Sequence, residues 1–412
     1  MLSDIVHIFF ILLFAYLAIN ILYLLTLSIA GRLVKSPSYA THPGKKRFAV
    51  LIPSYREDEV IVNTVKRAAE HDYPGPAFDV YVAAHQLRAD TLNQLKQLNA
   101  FVFEASFETG SKARSLNYLL NQIDEKRYDV ALILDGDNIM TAGCMEKINA
   151  AFQNGCHAVQ CHRTAKNKNT AVALLDALSE EINNHLFRKG ARALGFSASL
   201  IGSGMAFDFS KLKEIYNKPG ILGNPACDRE VDFEMMKAGI AIEYLDNAYA
   251  LDEKVSAGTV FQNQRTRWLE SQWMHLRLFF SGKERVARKT KDYWHKLFIT
   301  IQPPRIIFLA LFGFIFLLLL IGLALRHNFT GISLTCWGLL FSAYLLSLFI
   351  AIPASFYTRQ TALAILHLPR IIFLFIRAAL QAKTTRKEFV HTPKTFVERE
   401  NSHKENSHNA GS

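Results

Sequence analysis

Three stretches of the chain carry no Lys, Arg, Asp or Glu: residues 5–30, 306–325 and 332–352. A helix rising about 1.5 Å per residue over such a length crosses a hydrocarbon core of roughly 30 Å. For 5–30 the rival reading is a cleaved leader, but the run is too long and lacks a small-residue cleavage site, so it reads as an anchor. Between the first and second stretches the pattern changes. Short apolar runs, "FAVLIP" (48–53), "FDVYVAA" (78–84), "AFVFEA" (100–105) and "DVALILD" (129–135), predict strands. They alternate with helical stretches: 54 to about 71, "DTLNQLKQL" (90–98) and the amphipathic "SKARSLNYLLNQI" (111–123). That alternation predicts an α/β domain with a mostly parallel sheet and ligands at the strands' carboxyl ends.

Further on, helical spacing covers 170–190, 227–240 and the basic-aromatic 260–273, and "SLIGSGMAF" (199–207) breaks an apolar run with glycines. Residues 283–298 mix cations with Tyr293, Trp294 and Phe298, as a helix lying on a membrane surface does. The expected organisation is an anchor at 1–31, a catalytic domain at 44–280 and an interfacial helix at 283–304. Spanning helices follow at 305–326 and 332–353, then an interfacial or membrane helix at 362–382 and a disordered polar tail at 384–412.

Charge sets the orientation. Arg32, Lys35, Lys45, Lys46 and Arg47 follow the first span without an acid, and Arg359, Arg370, Arg377, Lys383, Arg386 and Lys387 lie on the C-terminal side. The positive-inside rule then puts 31–305 and the C-terminus in the cytoplasm, and 326–331 outside, at an inner membrane. The formal net charge of +11 is accounted for by anionic lipid, and no nucleic-acid motif accompanies it. Five cysteines without a CxxC pair argue against a disulfide framework or a zinc site and fit a reducing cytosol; "CHAVQCH" (156–162) reads as a strand.

The chemistry begins at "LDGDN" (134–138), where Asp135 and Asp137 emerge from a buried strand. Two carboxylates one residue apart repel each other unless a cation or a set of donors neutralises them; an Asp-Gly turn is the plainer reading. Along the chain stand "VLIPSYRE" (50–57), "GSKARSLN" (110–117), "DGD" (135–137), "GSGMAF" (202–207), "CDRE" (227–230) and "QRTRW" (264–268).

In that order and spacing the series resembles the inverting, membrane-bound family-2 glycosyltransferases with a GT-A fold, including synthases of cellulose, hyaluronan and chitin type. The resemblance implies transfer of a sugar from a nucleotide-diphospho-sugar. Asp137 would be the direct ligand of Mg²⁺ or Mn²⁺ and Asp135 would contact the nucleotide sugar. Asp228 would be the base that takes the acceptor's proton, with Glu230 and Asp232 as alternatives, and helix capping is a compatible role for Asp228. Pro53, Tyr55, Glu57, Lys112 and Asn117 would line the nucleotide, although Lys112 could equally be a solvated helix lysine. Of the QxxRW residues, Gln264, Arg265 and Arg267 would face the diphosphate, and Trp268 would stack on a sugar ring. Gly202, Ser203 and Gly204, with Glu230, would meet the acceptor; a bulged buried strand is the alternative for the glycines.

Three positions depart from the family pattern. Cys227 replaces a Glu, Arg56 stands where Asn is usual, and "VYVAAHQLRADT" lacks the Asp that reads the base, leaving Ala84 or His85 in its place, with His85 or Gln86 as substitutes. Uridine is therefore implied by the resemblance alone. The product is either a polysaccharide elongated processively or a single sugar added to a lipid-linked acceptor. A nucleotide-sugar-binding scaffold of an envelope complex is the reading from another class.

Overall fold

A computed structural model describes residues 2–108, 110–218, 220–222, 227–255, 258–280 and 290–381. The chain forms two compact units. A sheet unit has its described residues within Ser38–Ala177 and Leu200–Ser256, and a helical unit has its described residues within Met1–Pro37, Leu178–Ser199 and Ala257–Thr384.

The sheet unit has eight strands: β1 (Phe48–Tyr55), β2 (Phe78–His85), β3 (Phe101–Ala105), β4 (Val130–Ile133), β5 (Ile139–Met140), β6 (Ala158–Ala165), β7 (Met205–Asp208) and β8 (Glu243–Asp252). Their order is β3-β2-β1-β4-β7-β6-β8-β5. β1 runs parallel to β2 and β4, β2 to β3, and β6 to β8; β7 is antiparallel to β4 and β6, and β5 to β8. Strands buried on both faces read as continuous apolar runs. β1 and β4 do so: Phe48, Val50, Ile52, Val130 and Leu132 on one face share a core with Ile61 and Val65 of helix Ile61–Ala69 and Met145 and Ile148 of helix Cys144–Gln153, and Ala49, Leu51, Ala131 and Ile133 on the other face are fully buried too. Helix Lys112–Gln122 starts where the sequence places it, with Ser111 Oγ accepting the Arg114 N–H at 3.4 Å.

This topology brings the carboxyl ends of β1, β2, β4, β6 and β8 and the amino end of β7 to one edge of the sheet. The pairs Tyr55↔His85, Ile133↔Met205 and Ala165↔Asp252 mark it. Two strands and two helices are absent from the sequence reading: β5, β8, Cys144–Gln153 and Phe209–Tyr216. β8 has a physical reason. Its register against β6 jumps from Cys161↔Leu245 to His162↔Tyr249, and the extra residues break the alternation that betrays a strand.

In the helical unit Asp4–Leu33 (within helix Leu2–Leu33), Arg305–Ala324 and Leu334–Ala351 are long and apolar enough to cross a membrane. Ser28 Oγ donates to Ser347 O at 2.7 Å, and Arg32 donates to Ile350 O and Ile352 O at 2.7 Å each, tying the first of these helices to the last. The helical stretch expected at 170–190 is α-helical over Ala171–Asn184 and then widens into a π-turn, His185–Gly190. There His185 Nε2 lies 2.8 Å from Ser28 O, and a Cβ on Gly190 would stand 2.2 Å from Leu27 O. Of the expected interfacial stretch 283–304, residues 283–289 lie outside the described residues, and helix Lys291–Ile301 follows, capped by the Thr290 hydroxyl. Of the expected stretch 362–382, the described residues fall on two helices, Arg359–Ile365 and Leu368–Gln381, bent by 51°, and residue 382 lies outside the described residues. The tail, 384–412, lies outside the described residues. All five cysteines are free thiols.

Candidate active site

β4 ends at Ile133, and Leu134 N–H still donates to Leu51 O at 3.0 Å before the chain turns. The turn closes with Asn138 N–H donating to Asp135 O at 3.0 Å, so the plainer Asp-Gly reading is also correct. What it holds goes further. A Cβ on Gly136 would lie 2.1 Å from Glu57 Oε2. Glycine is what lets the Glu57 carboxyl group, from the loop after β1, lie against this backbone.

The like charges are divided between partners. Lys112 Nζ forms an ion pair with Asp135 Oδ1 and donates to Gly202 O at 2.5 Å. Gly202 has φ +90°, and a Cβ there would stand 3.5 Å from Lys112 Nζ and 3.6 Å from Asp228 Oδ2. Three distant segments thus meet: the turn after β4, the loop before β7 and the first turn of helix Cys227–Lys237. Burial alone pushes the Lys112 ammonium down, but the Asp135 carboxylate, its charge and its hydrogen bond together, with Asp228 beyond it, outweighs this and holds the pKa above the ordinary value. A lysine raised on folding stabilises at every pH below its ordinary pKa of 10.5, and that contribution fades as pH climbs through the raised value. Lys112→Met should therefore lower the melting temperature by a constant amount over about pH 6–9, with the gap to wild type closing only above about pH 10.5. Melting curves of both proteins across this range check it.

Asp137 is held differently. Its Oδ2 accepts the Glu253 N–H at 3.2 Å, and Lys166 Nζ donates to its main-chain carbonyl at 2.5 Å. The Asn138 amide satisfies its neighbours in one orientation. Its nitrogen donates to Asp137 Oδ1 and Asp252 Oδ1, each at 3.2 Å, and its oxygen accepts from Ser203 Oγ at 2.8 Å. Ser203 Oγ also accepts the Asp135 N–H at 3.0 Å. The fully buried Ser203 hydroxyl is thus committed to the turn. Gln160 clamps the same loop, donating to Ser203 O at 2.9 Å and accepting from Ile201 N at 3.0 Å. Gly204, φ +63°, packs so closely that a Cβ would meet Ala250 Cβ at 3.0 Å.

At the ends of β1 and β2, Pro53 is buried beside Ala83. The Tyr55 ring lies against Gly110 and 4.8 Å from the His85 ring. His85 is 1% exposed, with Nε2 3.2 Å from Phe107 O and no hydrogen bond to Nδ1. Burial lowers its pKa against the pull of the Phe107 carbonyl, which keeps the imidazole neutral. Arg56 and Gln86, the next residues on each strand, are both left-handed (φ +56° and +54°), and Arg56 Nε donates to Gln86 Oε1 at 2.7 Å. Asn117 points elsewhere: its amide donates to Tyr216 O at 3.0 Å and Asn217 Oδ1 at 2.8 Å, joining two helices. Glu230 is half-buried in the first turn of helix Cys227–Lys237.

Gln264, Arg265, Arg267 and Trp268 lie in the helical unit on helix Gly258–Phe280. Arg265 is buried, with its guanidinium 3.9 Å from the Trp268 ring centroid and 4.6 Å from that of Phe261, so one face of Trp268 is already covered by a cation–π contact. Arg267 and Gln264 are half-buried. The residues that the sequence did not single out are Asn138, Lys166 and Asp252. Asn138 is signalled only by its adjacency to the Asp pair, and Lys166 and Asp252 carry no signal, because β6 and β8 bring them in from far along the chain.

Among the described residues no three His, Cys, Asp or Glu side chains cluster to hold a metal by themselves. Residues 43–271 match the family described as "Glycosyltransferase like family 2". The chain belongs to that family and is a glycosyltransferase. No curated protein matches the sequence. Among solved structures, a mannosyltransferase (PcManGT) of Pyrobaculum calidifontis, in complex with GDP-Man and Mn²⁺, is 15% identical with a TM-score of 0.55, over 92% of this chain and 98% of its own. S. aureus TarS 1-349 in complex with UDP is 14% identical with a TM-score of 0.41, over 84% and 95%. Glucosyl-3-phosphoglycerate synthase of Mycobacterium tuberculosis, solved with Mn²⁺, UDP and glucosyl-3-phosphoglycerate, is 14% identical with a TM-score of 0.36, over 55% and 80%. The first of these likenesses speaks for the fold, which is of GT-A type.

Proposed function

We propose that the protein is a membrane-bound, inverting glycosyltransferase. It moves a sugar from a nucleotide-diphospho-sugar to a saccharide or lipid-linked acceptor, with its sheet unit in the cytoplasm. Three apolar helices and the cations flanking them support the membrane setting. The observation that carries the chemistry is the meeting of Asp135, Lys112, the Gly202 carbonyl and Asp228 at one sheet edge.

Asp228 accepts the proton of the acceptor hydroxyl as its oxygen attacks the sugar's C1 from the face opposite the leaving group, which gives inversion. The Lys112 ammonium stays charged at neutral pH and offsets the negative charge of the departing nucleoside diphosphate. Glu57, Tyr55 and His85 border the nucleoside side of the edge. The QxxRW residues Gln264, Arg265, Arg267 and Trp268 belong to the helical unit, and their part in binding the donor is what the family resemblance implies.

The Asp135 and Asp137 carboxylates form an all-oxygen pair that suits Mg²⁺ or Mn²⁺. Two carboxylates are what such a cation takes from a protein when phosphates and waters complete its shell. When bound, it would neutralise the diphosphate and ease its departure. Protein stripped with EDTA should release no nucleoside diphosphate from UDP-Glc, UDP-GlcNAc, UDP-Gal, UDP-GlcA or GDP-Man. Mn²⁺ or Mg²⁺ should restore release with the true donor. Full turnover in EDTA would refute the cation's part, and no release from any donor with metal would refute the donor class.

A further inference from the structure

We infer that Asp252, at the end of β8, is a positioning residue for Asp137 and acts through the amide of Asn138. This rests on the reading of Asp137 as a cation ligand. The linkage is a relay of three side chains with a fixed sense. Lys254 Nζ donates to Asp252 Oδ2 at 2.6 Å, and Arg163 Nε lies 3.9 Å from the same oxygen. Asp252 Oδ1 is thereby left facing the Asn138 nitrogen at 3.2 Å. The second N–H of that nitrogen goes to Asp137 Oδ1 at 3.2 Å, while the Glu253 main chain takes Oδ2 at 3.2 Å.

The relay is anchored at both ends. Lys254 is 3% exposed, and its main chain pairs twice with the buried Asn167, N–H to Oδ1 at 2.7 Å and O from Nδ2 at 3.0 Å. At the other end the Asn138 oxygen holds the Ser203 hydroxyl. A carboxylate at 252 is what this arrangement requires, because it accepts on both sides at once. An amide there must offer its oxygen to Lys254 and would turn its nitrogen toward Asn138. Asn138 would then have to present its own oxygen, which would also face Asp137 Oδ1 and repel it. An isosteric change two side chains away thus reverses the dipole at the candidate ligand.

Partners of this kind behind metal ligands are worth about 10–100-fold in metal affinity. Mn²⁺ binding to the full-length protein in detergent, with UDP present, is read by the loss of the free-ion EPR signal. Asp252→Asn should weaken binding by about tenfold or more and leave the donor KM at saturating Mn²⁺ unchanged. Asn138→Ala should give a similar loss. In the double variant the loss should equal that of Asn138→Ala alone, since the relay is already cut.

Wild-type Mn²⁺ affinity in folded Asp252→Asn, or losses that add in the double variant, would overturn the inference. If Asp252→Asn does not fold, Asn138→Ala decides: wild-type affinity there overturns it. If Asp137→Asn binds Mn²⁺ like the wild type, the cation reading falls and this inference falls with it.

Discussion

Asp228→Asn should reduce sugar transfer by about 10²–10⁴-fold, the range that a positioned general base contributes, with nucleotide-sugar binding kept. The amide fills the same space and cannot take a proton at neutral pH. The change is mild for the fold. Asp228 is the second residue of helix Cys227–Lys237, where a carboxylate gains about 0.3–1 kcal/mol from the helix dipole, so the loss is small against overall stability. The Lys112 ammonium keeps Asp135 as its partner, which holds the donor side intact. Turnover and donor binding measured on the same preparation check this; equal turnover in the variant would exclude Asp228 as the base. Glu230, in the same first turn, is the group to test next in that event.

Gly190→Val should destabilise the helical unit by on the order of 3 kcal/mol or more, as overpacking does where neighbours cannot move. The added Cβ would stand 2.2 Å from a main-chain oxygen, that of Leu27, and not from the tip of a side chain. Relief by sliding is blocked from the other helix as well, since a Cβ on Gly31 would already lie 2.9 Å from His185 Nε2 and 3.2 Å from Gly190 N. Close backbone approach through small residues is how helices associate where lipid surrounds them. Gly313, inside helix Arg305–Ala324, has nothing beyond its chain neighbours and its own helix backbone within 4 Å of its would-be Cβ, so Gly313→Ala should leave stability level or raise it. Thermal unfolding of the two variants in one detergent measures the contrast.

The parts legible in the sequence are those whose signal is local. β1, β2 and β4 are apolar runs because both their faces are covered, and Ser111 announces the helix it caps. β8 was hidden because its register shift resets the alternation, and β5 is two residues long. The π-turn at His185–Gly190 follows no 3.6-residue period, so the spacing there read as plain helix. At the candidate site the carboxylates were visible as motifs, but their partners were not. That Lys112 answers Asp135, that Ser203 is committed to the turn, and that Asn117 joins two helices are consequences of a sheet order that no spacing encodes. From the sequence Trp268 offers a ring for a sugar to stack on, and no spacing shows that the Arg265 guanidinium three residues earlier, one helical turn away, covers one of its faces.

The bond between Arg56 and Gln86 has a thermodynamic consequence. Two non-glycine residues in the left-handed region carry a conformational penalty of about 1–3 kcal/mol each, and here they are fastened side chain to side chain across neighbouring strand ends. The rim is therefore preorganised by folding, so that on the function proposed above a nucleoside docking there would lose little further entropy in shaping its own socket.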